Sequence, residues 1–552
     1  MQKYCRVRRY IGLLFLYMRT IKINLPSQWV LPLAILFLFI LLLIVELPML
    51  AFTKGMLIYP QGAGYIRMAI AKNLAFSQTW GLSPHEFSSA SSSVLYPIIL
   101  AACFKILGLQ TVVPFVINLI GGVLFLKVLY EWLKRQTITP FSLLLILLFI
   151  IYVIPLHIMI TLGMEATLEI LFSFLFIFKF CEWMSVQNGK FPRVLYFYGA
   201  VMVTIRYEGL FIICIACLAL LIRRKWGFSA MLGIIASLPL LVFGIYSLRQ
   251  GGYFIPQSII IKQFPLPFDG LNIRNFFANE VINHLLYPYP TRGAIAGSRL
   301  LIIPPFVYWL YIDFFRRNPL YRYIMLFSLC LAVMHLIFSS ATLFYRYEAY
   351  LIPCNLIVPC VTIAKNGLSF LEGRPSSAKW ILGWAGIFLF YPFFSRTWES
   401  FEDVSLGYKH EYLQNYQAAR FIGAYYNGRT VVMDELGMAA FLGDGKQLDI
   451  NEGIAYMDVA RSKIEGYHPL EYQDFLINKE KPVVALISDR NYHPWLRRKW
   501  KKVGTWHTRY RIVLRDAELD IYAVDSSSAS TLRKNLETFQ ASLPDEVKVV
   551  YE

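Results

Sequence analysis

Charge is scarce in this chain of 552 residues: 16% are Asp, Glu, Lys or Arg, while 57% are hydrophobic. Ordinary soluble domains carry about 25% charged residues, so that class is excluded. Carboxylates are the scarcer sign, 35 against 53 lysines and arginines, for a net charge of +18. The eight cysteines are Cys5, Cys103, Cys181, Cys214, Cys217, Cys330, Cys354 and Cys360, and none lies in the polar C-terminal portion. No disulfide framework is expected. Cys214-x-x-Cys217 has redox or metal spacing, but it sits inside an apolar segment with no second pair, where small apolar packing is expected. His85-Glu86 is not a ligand set, and no His or Cys cluster has zinc spacing. The chain has no P-loop, no dinucleotide-binding glycine pattern and no serine-hydrolase elbow. No cofactor is therefore expected, and nothing supports a divalent cation.

Long apolar runs are abundant instead. Val30 to Ala51, broken only by Pro32, Glu46 and Pro48, exceeds the roughly 20 residues that cross a bilayer core. Lys3, Arg6, Arg8, Arg9, Arg19 and Lys22 precede it, and it is read as a retained signal anchor. Further spans are expected near 112–132, 140–157, 166–184, 194–205, 209–222, 228–247, 299–315, 320–338, 349–364 and 379–395. Lys134-Arg135, Arg223-Arg224-Lys225, Arg316-Arg317 with Arg322, and Lys365 with Arg374 fall at alternate span ends. This positive-inside pattern accounts for much of the basic excess, so no nucleic-acid partner is expected. It also requires that the short apolar segment Val94–Leu107 not cross. The expected fold is an all-α polytopic membrane bundle of about eleven spans with a C-terminal extracytoplasmic α/β domain. The membrane domain is placed at 1–396, with a first outer loop at 52–92 and a long one at 249–297. The polar domain is placed at 397–552. Short strands are expected at Thr430–Met433, Val483–Ile487, Arg511–Leu514 and Ile521–Val524, and helices at Glu411–Tyr426 and Pro469–Ile477. The tail from Ser526 is expected to be loosely held.

The most informative stretch is Tyr65–Leu100, just after the first span. Ile66, Ile70 and Leu74 recur at helical spacing with Arg67, Ala71 and Lys72 on other faces, so a helix here can lie flat in an interface. A Trp80-Gly81 turn, a serine-rich loop and a second apolar segment follow. This order resembles the first outer loop of bacterial membrane glycosyltransferases of the C superfamily, which use a polyprenyl-phosphate sugar donor. Gln61-Gly62-Ala63-Gly64 stands where that family has one or two aspartates. Gly163-Met164-Glu165, Arg206-x-Glu208-Gly209, the Tyr253-x-x-Pro256 run leading to Lys262, and Arg346-Tyr347 are similar to short patterns of the same family. So is Asp434-x-Leu436-Gly437 followed by Leu448-Asp449. The resemblance covers about residues 30 to 450.

What it implies is transfer of a sugar from a polyprenyl-phosphate donor to an envelope glycan, lipid or protein acceptor at the plasma (inner) membrane, with the amino terminus cytoplasmic. Membrane lipids are the other expected partners. A carboxylate must take the acceptor proton, and cations must stabilise the departing phosphate. Glu86, in the first outer loop, and Glu165, at the start of the fourth span, are the two candidates for the base. Tyr65, Arg206, Lys262 and Arg346 are the candidate substrate-binding residues; Arg346 has the fork that holds two phosphate oxygens. Arg346 also reads as an interfacial arginine, and Lys262 as a solvated loop residue. Glu208 is expected to pair with Arg206 across its turn. Two other readings of the chain stay open: an inactive lipid-glycan binding protein of the same fold, and a transporter or flippase.

Overall fold

The computed structural model describes residues 25–186, 190–263, 295–338, 346–450, 453–454, 456–464, 470–488, 499–510 and 517–552. The bundle begins with α1 (Ser27–Phe52), α2 (Gly62–Ser77), α3 (Leu95–Leu107), α4 (Val112–Lys134), α5 (Pro140–Val153), α6 (Leu156–Thr161) and α7 (Ala166–Ser185). It continues with α8 (Val194–Ile205), α9 (Gly209–Ile222), α10 (Trp226–Arg249), α11 (Gln257–Gln263), α12 (Ile295–Leu310), α13 (Ile312–Arg317), α14 (Pro319–Phe338), α15 (Leu351–Asn366) and α16 (Ser376–His410). Among the described residues, α1, α4 and α10 are long and apolar enough to cross a membrane, and seven shorter helices are apolar. One face of α1 turns outward with Leu36, Phe39, Ile40, Leu43, Ile44 and Leu47 each 40–56% exposed. An apolar stripe of that length facing water is unfavourable, whereas lipid tails accept it. The chain is a membrane protein.

The change of composition near Arg396 does not break the chain. Helix α16 runs through it, presenting Trp384, Phe388, Tyr391, Phe394 and Trp398 outward and then burying Ser400, Asp403 and His410. A π-turn at Glu411–Tyr416 leads to α17 (Gln417–Tyr425) and the C-terminal domain. That domain comprises β1 (Val431–Met433), α18 (Gly437–Leu442), β2 (Gln447–Leu448), α19 (Met457–Ile464), α20 (Leu470–Glu480), β3 (Val484–Ile487), β4 (Lys501–Thr508), β5 (Glu518–Ala523), α21 (Ala529–Gln540) and β6 (Val547–Tyr551). The sheet order is β2-β1-β3-β5-β4-β6. β1 is parallel to β2 and β3, with Val431 opposite Gln447 and Val484; the remaining pairs are antiparallel. β1 and β3 are buried throughout, as parallel strands covered by crossover helices must be. The expected strand Arg511–Leu514 lies outside the described residues.

Two expectations are corrected. The tail from Ser526 is ordered: α21 buries Leu532, Leu536 and Phe539, with Phe539 stacked on Trp506 at 6.0 Å, and β6 pairs with β4. Its apolar residues are few, but they recur at helical spacing and find one face of the sheet. Nor does α2 lie on a surface. Arg67, Ala71 and Lys72 are buried along with Met68 and Ile70, because the C-terminal domain covers the side that an interfacial helix would leave wet.

Candidate active site

Helix α2 is held between the bundle and α18. At its far end Lys72 donates to the carbonyls of Ala440 (3.0 Å) and Gly443 (2.6 Å) and to Asp444 (3.2 Å). Burial pulls the Lys72 ammonium below the usual lysine range, with Asp444 opposing. At its near end two glycines permit contact. A Cβ on Gly437 would lie 2.2 Å from the Gly62 carbonyl oxygen, and one on Gly62 would lie 1.7 Å from Glu435 Oε1. The Gly437 contact is backbone to backbone, so the docking requires glycine there, whereas the Glu435 carboxylate could swing aside from a side chain at 62.

Towards the bundle, Arg67 donates to both oxygens of Glu165 (2.5 and 2.8 Å) and to the Ala63 carbonyl (2.9 Å). Glu165 ends a turn made possible by Gly163, whose φ of +69° and position against the Tyr59 ring leave no room for a side chain. Tyr65 is buried, its hydroxyl accepting from the Tyr59 amide at 3.0 Å. Arg206 faces Glu169 at 3.5 Å and pairs with Glu208, as expected from their spacing. Arg396 donates to Glu348 (2.9 Å) and to the Val153 carbonyl (3.0 Å). Each of these three buried guanidinium groups thus has a carboxylate, as desolvated charge requires.

Arg346 has none among the described residues. It is 7% exposed, and its donors reach Gln61 Oε1 (3.3 Å), the Tyr347 hydroxyl (3.3 Å) and Met164 Sδ, while Nε is buried with no partner. Arg206 and Arg346 lie against the same Tyr347 ring, 4.4 and 4.9 Å from its centroid. A buried cation with a free donor and no carboxylate in ion-pair contact among the described residues, Glu169 acting on it only from farther off, is an arrangement suited to an anion.

The structure therefore brings Tyr65, Glu165, Arg206 and Arg346 into one region under the C-terminal domain. Glu86 lies at the rim, paired with Lys446 at 2.8 Å; Lys446 also pairs with Glu480 at 2.9 Å and lies over Tyr456. Glu480 is held below the usual carboxylate range: burial pushes it up, and the hydrogen bonds from Tyr456 and Lys446 outweigh that. Lys262 is on α11, whose Gln257 donates to the Gly453 (3.3 Å) and Ile454 (2.6 Å) carbonyls; the Lys262 side chain lies outside the described residues. Glu348 was legible with Arg346 as a charge at a span end, whereas Arg67, Glu169, Arg396 and Glu435 were not singled out as site residues. Arg67, Glu169 and Arg396 are charges inside apolar or amphipathic helices, a signal that was available. Glu435 follows a strand of the polar domain and carries no such signal. Among the described residues no group of His, Cys, Asp or Glu is placed to hold a metal ion.

The fold and this region together define a membrane-embedded helical bundle whose first interhelical loop is closed by an α/β domain. No family model and no curated protein matches the chain. Among solved structures, it is similar to the crystal structure of ArnT from Cupriavidus metallidurans bound to undecaprenyl phosphate. The identity is 14%, over 91% of this chain and 99% of that one, with a TM-score of 0.49. The apo state of the same protein matches at 12% identity over 89% and 98%, with a TM-score of 0.44. At such identity the likeness concerns chain path, and undecaprenyl phosphate is a ligand of ArnT.

Proposed function

We propose that this chain is an integral-membrane glycosyltransferase that moves a sugar from a polyprenyl-phosphate donor onto an acceptor hydroxyl on the extracytoplasmic side. The observation that carries this reading is Arg346, buried under the C-terminal domain with a free Nε and no carboxylate among the described residues. The surrounding guanidinium groups are neutralised, so a phosphate entering here meets one uncompensated fork rather than a diffuse positive field. In the transfer, the acceptor oxygen bonds to the sugar C1 as the bond from C1 to the phosphate oxygen breaks. The electron pair leaves with the phosphate, where Arg346 stabilises it, and the acceptor proton passes to a carboxylate. Lys262 is proposed as a second cation for the phosphate. Because the chain supplies the positive charge, transfer is expected to be unaffected by a chelator of divalent ions. The site is assigned to the outer face of the inner membrane, with the amino terminus in the cytoplasm.

The test is reconstitution in liposomes with a panel of polyprenyl-phosphate pentoses and hexoses, following release of polyprenyl phosphate in the presence of envelope acceptors. Release that depends on acceptor and is lost in Arg346→Gln supports the reading. No release from any donor by a correctly folded wild type overturns it.

A further inference from the structure

We propose that the turn between α9 and α10, together with Arg322 of α14, is a binding site for the headgroup phosphate of an anionic phospholipid. It lies at the end of the bundle assigned to the cytoplasm by its charge. Helix α9 separates it from the candidate active site. Arg206 and Glu208, on the Tyr347 ring, stand just before Gly209, and the turn follows Ile222, 14 residues later. At 1.5 Å per residue the two sites are about 20 Å apart, and this one does not depend on the transferase reading.

The chain leaves α9 through three successive cations, Arg223-Arg224-Lys225. The Arg224 amide donates to the Leu221 carbonyl at 2.8 Å and the Lys225 amide to the Leu220 carbonyl at 2.9 Å, with Arg224 at a φ of +57°. Such a helix-ending turn ordinarily has glycine at its left-handed position, because a side chain there crowds the backbone. Arginine keeps that strain and adds a charge to the turn. Strain retained in this way points to a role for the side chain.

Arg223 is fixed by its surroundings. Its guanidinium donates to the Tyr323 hydroxyl and lies 5.0 Å from the centre of that ring. Arg322 reaches the same ring from α14, at 5.9 Å. The acids of this end are engaged elsewhere: Glu182 faces Arg135 and Lys179, and Asp313 faces Arg316. Residues 1–26, which precede α1 at the same end, include no Asp or Glu. Other basic span ends are built differently. Lys134 lies over Tyr130, Lys365 over Tyr321 and Arg374 over Trp309, one cation to each ring. A cation that only obeys the charge rule needs water. Two guanidinium groups from different helices on one ring, with no acid in ion-pair contact among the described residues, call for an anion.

The flanks of the turn make that anion a lipid. Ile222 and Trp226, on either side of the three cations, are largely exposed, and Phe228 faces outward one turn further on. A tryptophan at a span end is suited to the boundary between acyl chains and headgroups. A phosphate held by Arg223 and Arg322 thus has its acyl chains against an apolar flank, as in basic headgroup pockets between membrane helices. A free phosphate ion leaves that flank unused.

The test titrates dioleoyl phosphatidylglycerol against the full chain in a neutral detergent, with dioleoyl phosphatidylcholine as the uncharged control, and follows bound lipid by native mass spectrometry. Phosphatidylglycerol is expected to bind the wild type at least about tenfold more tightly than phosphatidylcholine. Arg223→Gln with Arg322→Gln should remove about tenfold or more of that affinity. Arg316→Gln with Arg317→Gln, which takes the same charge from another span end, should change it by about twofold at most. Arg224→Gly should bind phosphatidylglycerol more weakly at an unfolding temperature equal to or above that of the wild type, which separates lost binding from lost folding. Arg346→Gln should bind it as the wild type does. Equal losses in the two double variants overturn the site in favour of a diffuse basic surface. Equal binding of the two lipids, unchanged binding in Arg224→Gly, or displacement of bound phosphatidylglycerol by inorganic phosphate overturns it as well.

Discussion

Arg206 and Arg346 rest on the same tyrosine ring and are both almost fully buried, but they differ in their surroundings. Arg206 has Glu169 and Glu208; Arg346 has an amide oxygen, a hydroxyl and a thioether. Two carboxylates around one guanidinium offset its charge and make a knot that joins α7, the turn between α8 and α9, and Tyr347. A guanidinium on the same ring with no carboxylate in ion-pair contact among the described residues contributes little to holding helices together and is costly to leave without an anion. The first arrangement is what a fold uses to fix its helices, the second what it uses to receive a ligand.

If that contrast is right, the two arginines should fail differently. The largest expected effect on stability is at Arg206. Replacing it with Ala strands two buried carboxylates and should cost about 3–5 kcal/mol, read as a steep fall in unfolding temperature in detergent. Little change there would erase the distinction. Gly437→Ala is next: its Cβ would lie 2.2 Å from the Gly62 carbonyl oxygen, and about 1–3 kcal/mol of overpacking strain is expected. Limited proteolysis should then cut more readily between bundle and C-terminal domain. The smallest effect belongs to the rim. Lys446→Ala removes partly buried rim pairs with Glu86 and Glu480 and should cost about 1 kcal/mol. Because the Glu480 carboxyl titrates below its unfolded value, the contribution of this clasp is present above the ordinary carboxylate pKa of about 4.3. It is lost as the pH falls through the lower folded value. Proteolysis of the wild type across that range should show looser docking in acid, and Lys446→Ala should flatten the change.

The same contrast explains what could be read without a structure. Val194–Ile205 and Gly209–Ile222 were legible to the residue, because the polar junction Arg206-Tyr207-Glu208 interrupts two runs of pure apolar sequence. The Arg206–Glu208 pair was legible because both partners lie within one turn. Arg346 could be singled out as a charge near a span end, but its lack of a carboxylate depends on distant segments, those of Gln61 and Met164 among them, and has no sequence signature. Strands β2, β4 and β6 were missed for a related reason. β2 is two residues long, and β4 alternates around polar Lys501, Lys502 and Thr505, so pairing decides them rather than local composition. Glu435 is the extreme case. In sequence it is one solvated carboxylate among many in a polar domain, and its place against Gly62 exists only once the two domains close.

The central claim is that the Arg346 guanidinium is an anion site and not a structural tie. It is tested most directly by titrating undecaprenyl phosphate against the wild type and Arg346→Gln in matched detergent, with unfolding temperature measured alongside. The account predicts saturable binding to the wild type, weakened at least tenfold in the variant, at an unfolding temperature equal to or above that of the wild type. Equal binding by both proteins, or a variant that unfolds well below the wild type, would contradict it.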